Sequence, residues 1–277
     1  MELSGNFFEY NGISSRLYGL IFANAETDRY VSLAGEVKTK TIFNKKNKRN
    51  YYIGEEYADS PIQFDAEIVV ANDGSLDRFQ RMEIERWLFH QPGYRKLYID
   101  NECDFEAETS EFVNGEQKRL YLNCRFVNPD KIEGNGGIAG YRFVVECDSC
   151  MAWQDEVVYE YELPNNLSTS SSTIYIDVNS DLEDYVYPKV TIQTGSVGGN
   201  IQIINNTDNT TRPTSFVDLP ANAVITMKGD GVNYISGEYY LKFSNKNFIR
   251  LLNGENVIIV TGNVTKLEFE FQNRRYM

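Results

Sequence analysis

The sequence predicts a mainly β protein of two domains, an N-terminal β domain with one helix and a long hairpin followed by a C-terminal β-sandwich. Three observations carry that expectation. Apolar residues recur at every second position in segment after segment, the pattern of strands with one buried face. A single stretch, Leu76 to Phe89, reads as a helix, so that residues 76–90 form the one helical element of residues 1–155. The polar run Pro164–Ser172 then changes the texture of the chain and reads as a linker or long loop inside residues 156–277, the second domain.

The elements follow in order. Glu36–Phe43 and Tyr51–Ile53 are strand-like arms around Asn44–Asn50, a tip that carries Lys45, Lys46, Lys48 and Arg49. Ile62–Val70 alternates cleanly, and Asn72-Asp73-Gly74-Ser75 breaks it. The helix with Trp87-Leu88 comes next. Gln91-Pro92-Gly93 stops it, and Leu97–Asp100 opens a strand. Leu120–Val127, Tyr141–Cys147 and Val157–Leu163 each keep period two. Beyond the polar run, short strands are expected at Thr173–Val178, Lys189–Gln193, Ile201–Ile204, Ala223–Met227, Glu238–Phe243, Asn256–Thr261 and Lys266–Phe271. Such spacing with turn signals between reads as a sandwich. Gly195–Gly199 reads as a hairpin turn.

Composition narrows the function. A net charge of −13 argues against general nucleic-acid binding and against docking on anionic lipid, because both need a basic face. The plainer meaning of the acidity is solubility of a concentrated or self-assembling protein. The 19 tyrosines and 16 phenylalanines fit strands and interfaces. Met1–Gly12 has neither the basic start nor the apolar stretch of a signal peptide. The expectation is a protein made and kept in the cytoplasm, or one that leaves it without secretion.

The chemistry-bearing residues are few. His90 is the only histidine, which rules out a histidine-rich metal site and leaves no partner set for a hydrolytic triad. No nucleophile elbow, P-loop or dinucleotide fingerprint is present. A glycosidase needs only two carboxylates at a set separation, which 40 acidic residues do not exclude. Cys147-Asp148-Ser149-Cys150 is a lone C-x-x-C, whereas a zinc ribbon uses two. Cys124 and Cys147 fall on apolar strand faces and read as small buried hydrophobes, so neither a metal nor a structural disulfide is expected. No catalytic, cofactor-binding or metal-ligating residue is assigned. The basic tip has two readings, a solvated loop whose lysines discourage edge pairing and an arm that reaches an acidic surface on a neighbour.

A resemblance adds to this. Phe7–Ser15 with Tyr18-Gly19-Leu20, then Tyr51–Tyr57 and Phe64, then Glu85-Arg86-Trp87-Leu88 with Tyr94–Leu97, then Tyr141–Ser149 and Ala152-Trp153, resemble in order the distal tail proteins (Dit) of siphovirus-type phages. Pro188–Ile192 and Leu251–Asn256 resemble that family's C-terminal domain. Cys150 stands where that pattern has proline. The resemblance implies a galectin-like C-terminal β-sandwich and N-terminal domains that close a homohexameric ring at the virion tail tip, assembled in the host cytoplasm. It implies a tail tube protein above, a tail-associated lysin or fibre protein below, and receptor-binding proteins held by the outer domain. It implies no enzyme. The hairpin tip would then be a subunit interface. A carbohydrate-binding protein is the alternative, with Tyr234, Tyr239 and Tyr240 as glycan contacts.

Overall fold

The structure, a computed structural model, describes residues 5–23, 37–57, 60–71, 74–99, 110–113, 116–134, 136–164, 171–182, 184–229, 234–235 and 242–276. Its first strands are β1 (Gly5–Asn6), β2 (Phe8–Tyr10), β3 (Ile13–Ser14), β4 (Leu20–Ala23), β5 (Val37–Asn44) and β6 (Arg49–Tyr57). Then come β7 (Gln63–Val70), the helix α1 (Arg78–Phe89), β8 (Arg95–Ile99), β9 (Ser110–Val113), β10 (Glu116–Gly134), β11 (Gly137–Cys147) and β12 (Ala152–Gln154). The remaining strands are β13 (Val157–Glu162), β14 (Ser171–Val178), β15 (Lys189–Thr194), β16 (Gly199–Asn205), β17 (Thr214–Leu219), β18 (Val224–Lys228), β19 (Tyr234–Ile235), β20 (Gly254–Gly262), β21 (Val264–Phe271) and β22 (Arg274–Arg275). The chain divides into two compact units, one of residues 1–111, 119–153 and 276–277, the other of residues 112–118 and 154–275.

The first unit is built on an antiparallel sheet in the order β1-β4-β7-β11-β10-β8-β2-β3. Phe8, Tyr10, Ile68, Leu97, Phe126, Phe143 and Val145 supply its buried face, and α1 covers that face with Ile84, Trp87 and Leu88. These three, at spacings of three and four, form one apolar stripe, as a 3.6-residue period requires. Trp87 stacks on Phe8, their rings 5.8 Å apart and 4° from parallel. Its indole Nε1 donates to the Tyr10 carbonyl at 2.8 Å, so the polar edge of the ring is satisfied inside the core. The helix starts at Arg78, two residues later than its apolar pattern predicts. Asp77 ends the extended segment by accepting from the Phe79 and Gln80 amides, and Gln80 returns a bond to the Asp77 amide. This reciprocal cap fixes the start of the helix. Leu76 is still buried, but as extended chain whose amide donates to the Ile138 carbonyl. Gly140 sits opposite Val69 where β11 pairs with β7. A Cβ there would lie 1.9 Å from the Ile68 carbonyl oxygen, so only glycine fits.

The second unit is a sandwich of two antiparallel sheets, β13-β21-β15-β18-β19 against β14-β20-β16-β17. Val190, Ile192, Leu267 and Phe269 of one sheet pack on Ile176, Ile201, Ile203 and Val260 of the other. No helix occurs among the described residues of this unit. Two polar devices tie it together. Asn256 is fully buried: its amide donates to the carbonyls of Leu252 and Gly254, and its oxygen accepts from the Leu252 amide and from Asn205 Nδ2, all within 3.0 Å. At the sandwich edge, the phenols of Tyr159 and Tyr161 on β13 donate to the carbonyls of Asp177 and Tyr175 on β14. Among the described residues β14 is an edge strand that pairs with β20 alone, so the tyrosines satisfy acceptors on its outer side.

The structure corrects several expectations. Gly195–Gly199 is no hairpin, because β15 and β16 lie in different sheets and the segment crosses between them. The glycine there serves a close approach, since a Cβ on Gly198 would sit 2.3 Å from the Leu219 carbonyl oxygen. Strand β17 is absent from the sequence reading. Val217 and Asp218 are both exposed, and Asp218 has φ 52°, which breaks the period-two pattern of an edge strand. Strand β10 runs Glu116–Gly134, far past Val127, by way of a register shift between Val127 and Asp130. Most of the expected Glu238–Phe243 strand and of the Pro164–Ser172 run, together with Asp100, Asn72, Asp73 and Cys103, lie outside the described residues.

Candidate functional site

The basic hairpin is its own two-stranded sheet, β5 against β6. Its second arm, Arg49–Tyr57, is longer than the sequence reading allows, and its first, Val37–Asn44, is shifted by one residue. Asn44 already faces Arg49, so the tip is only Lys45-Lys46-Asn47-Lys48 and Arg49 belongs to an arm. Two side chains shape this turn. Asn44 Oδ1 accepts from the Lys46 amide at 2.9 Å, and Asn47 Nδ2 donates to the Tyr51 hydroxyl. Lys48 takes a left-handed backbone, φ 54°, where glycine or asparagine is at ease. The position keeps a lysine despite that cost, roughly 1 kcal/mol for an L-residue. All four basic residues, Lys45, Lys46, Lys48 and Arg49, are exposed and within five positions.

The register shows what charge alone did not. Ile42 lies directly opposite Tyr51, and on the other face Phe43 is a diagonal neighbour of Tyr52. Ile42 is 59% exposed, Phe43 56%, Tyr51 49%, Tyr52 64% and Ile53 59%. Both faces of the ribbon therefore carry exposed large apolar side chains. An isolated two-stranded ribbon is marginal in water, and apolar residues on both faces suit burial on both sides. The sequence reading missed these residues as interface. The available signal was Ile42-Phe43 and Tyr51-Tyr52-Ile53, adjacent apolar residues where a half-exposed strand would alternate.

The other candidates are not brought together. Tyr234 lies in β19, its backbone opposite Lys228, while Tyr239 and Tyr240 fall outside the described residues. His90 closes α1 at the rim of a cleft lined by Glu85, Phe89, Pro129, Lys131 and Tyr141. There Tyr141 donates to Glu85 Oε1 at 3.0 Å, and Lys131 Nζ lies 3.2 Å from the same oxygen. Burial first, and then the Glu85 carboxylate, push the Tyr141 phenol well above its usual range and keep it protonated. These contacts anchor the helix to β10 and β11. Cys124 and Cys147 are buried thiols on paired strands, and Cys150 is half-buried. Among the described residues no group of three or more His, Cys, Asp or Glu side chains is placed to hold a metal ion. No helix among them is long and apolar enough to cross a membrane.

Residues 4–149 match the family described as phage tail protein N-terminal domain, which is more than half of the chain. The chain belongs to that phage tail protein family. Residues 151–271 match a phage tail C-terminal domain. Among solved structures, the fold is that of the Dit protein of phage SPP1, with a TM-score of 0.57 at 12% identity over 97% of this chain and 99% of that one. That protein is described as a paradigm of the hub adsorption apparatus in phages infecting Gram-positive bacteria. A chain of the phage P2 baseplate, in its activated conformation with calcium, aligns with a TM-score of 0.51 at 9% identity over 98% of both chains. At such identities the likeness is one of fold. No curated protein matches the sequence.

Proposed function

We propose that this phage tail protein is the hub of the tail tip. Six copies close a homohexameric ring through the N-terminal domain, residues 1–155. The ring joins the tail tube protein to the tail-associated lysin or fibre protein, and residues 156–277 hold receptor-binding proteins on its outside. Assembly takes place in the host cytoplasm, and the protein has no enzymatic activity of its own. The observation that carries this reading is the hairpin: a ribbon with exposed apolar residues on both faces and four basic residues at its end, on a chain of net charge −13. Its apolar faces supply contact area, and its charge selects the acidic surface of a neighbouring copy. A contact from one patch to a different patch closes into a ring when the rotation between copies divides a full turn. The fold shared with SPP1 Dit over nearly all of both chains supports the same reading.

Native mass spectrometry of the full chain, alone and co-expressed with the tail tube and lysin proteins of the same phage, tests it. The expected species in the co-expressed sample has six times the 31.8 kDa chain mass, plus bound partners. A complex with one copy of this chain per partner, and no ring, would contradict the proposal.

A further inference from the structure

We propose that Cys124 and Cys147 are a paired modification site, reduced while the tail is assembled and joined as a cross-strand disulfide once the particle meets peroxide outside the cell. The two residues are direct partners in the register of β10 and β11. The hydrogen bonds around them show which kind of pair this is. The Cys147 amide donates to the Ile62 carbonyl beside β7, away from β10, whereas the next residue, Asp148, donates to Asn123 on the β10 side. Cys124 and Cys147 therefore form a non-hydrogen-bonded pair, the kind whose Cα atoms stand about 4.5 Å apart with side chains on one face. A disulfide spans about 4.4–6.8 Å between Cα atoms. The strands need not move to accept the bond. Both thiols are free and buried on the same face of the sheet.

Cys147 is the side of entry. It is the last residue of β11, followed by the bend Asp148–Met151, while Cys124 lies in mid-strand between β8 and β11. Burial holds the Cys124 thiol well above its usual range, and its place in mid-strand leaves Cys147, at a strand end, to meet the oxidant first. Peroxide is small enough for so closed a site. The Cys147 sulfur attacks one peroxide oxygen, the O–O bond breaks, and the departing hydroxide takes the thiol proton as water. The Cys124 sulfur then displaces hydroxide from the Cys147 sulfenic acid while its thiol proton passes to that hydroxide, forming the S–S bond and a second water. One peroxide is reduced and two thiols are oxidised. The exposure to oxidant rests on the tail-tip reading above; the pairing itself rests only on the register.

The test uses the full chain with Cys103 and Cys150 replaced by serine, treated with hydrogen peroxide while folded. The expected result is a linked peptide pair containing Cys124 and Cys147, a mass loss of two hydrogens, reversal by dithiothreitol, and a melting temperature higher by several degrees when linked. Cys124→Ala should abolish the link and leave Cys147 to over-oxidise. A link that forms only in denaturant, or over-oxidation of Cys147 with Cys124 present, would overturn the pairing. A second arm titrates thiols in purified virions under denaturing alkylation. Linked cysteines are expected there. A purified chain that links, beside virions that stay reduced, would reject the extracellular lock while leaving the hub reading to its own test.

Discussion

The apolar faces of the hairpin make the most exacting prediction. The perturbation is Phe43→Ala with Tyr52→Ala, which strips one face and leaves the charge untouched. A phenylalanine or tyrosine carries about 200 Å², and these two are 56% and 64% exposed. About 110–130 Å² of each thus remains to be covered by a neighbour. At about 25 cal/mol per Å², complete covering contributes about 3 kcal/mol per residue. Alanine keeps part of that area, and an interface rarely covers a ribbon fully, so about 1–2 kcal/mol per substitution is expected. Each change should then weaken one subunit contact by about 5- to 30-fold. The free chain should hardly notice. Surface substitutions stay within about 0.5 kcal/mol, and the lost cross-strand contact adds at most about 1 kcal/mol. Sedimentation velocity over a concentration series reads the assembly, and a thermal melt reads the monomer. The apolar origin has its own signature, a loss that does not change with salt. Assembly weakened less than twofold, or a melting temperature that falls in step with assembly, would refute the reasoning.

Changing Lys45, Lys46, Lys48 and Arg49 together to Glu should leave the monomer folded and weaken assembly, more at low salt than at high, because screened surface pairs contribute only about 0–1 kcal/mol each; a salt series on the same sedimentation assay checks it. Asn256→Ala should lower the stability of the second unit by about 3 kcal/mol, since it strands several buried backbone partners at once; denaturant unfolding of the full chain measures it. Alkali should loosen the sandwich edge. Burial and then the Tyr159 hydroxyl push the Tyr161 phenol up to about 12 from 10.0. A folded value raised above the unfolded one gives stability that is complete below about pH 10 and lost as pH rises toward 12. Tyr161→Phe should remove that part of the alkaline loss in melts followed across this range.

Sequence carried the fold well where one rule acted alone. The alternation of Gln63–Val70 and of Tyr141–Cys147 marks sheet strands because their faces differ in burial. The helix α1 was legible from its apolar stripe, but its first residue was set by the Asp77 cap, which apolar periodicity does not see. Strand β17 was hidden because a bulge at Asp218 scrambles its alternation. The path of Gly195–Gly199 was misread because glycine marks a tight turn and a close crossing alike. At the candidate site, the charges of the tip were plain in the sequence. The apolar faces were not, because which side chains share a face depends on the register of β5 on β6. The pairing of Cys124 with Cys147 was invisible for the same reason.

A reconstruction of the tail tip from purified phage particles tests the central claim most directly. The account predicts six copies of this chain in a closed ring, with the Lys45–Arg49 end of each hairpin on the next copy and Ile42, Phe43, Tyr51 and Tyr52 buried there. A single copy, a ring without three- or six-fold symmetry, or hairpins left in solvent would contradict it.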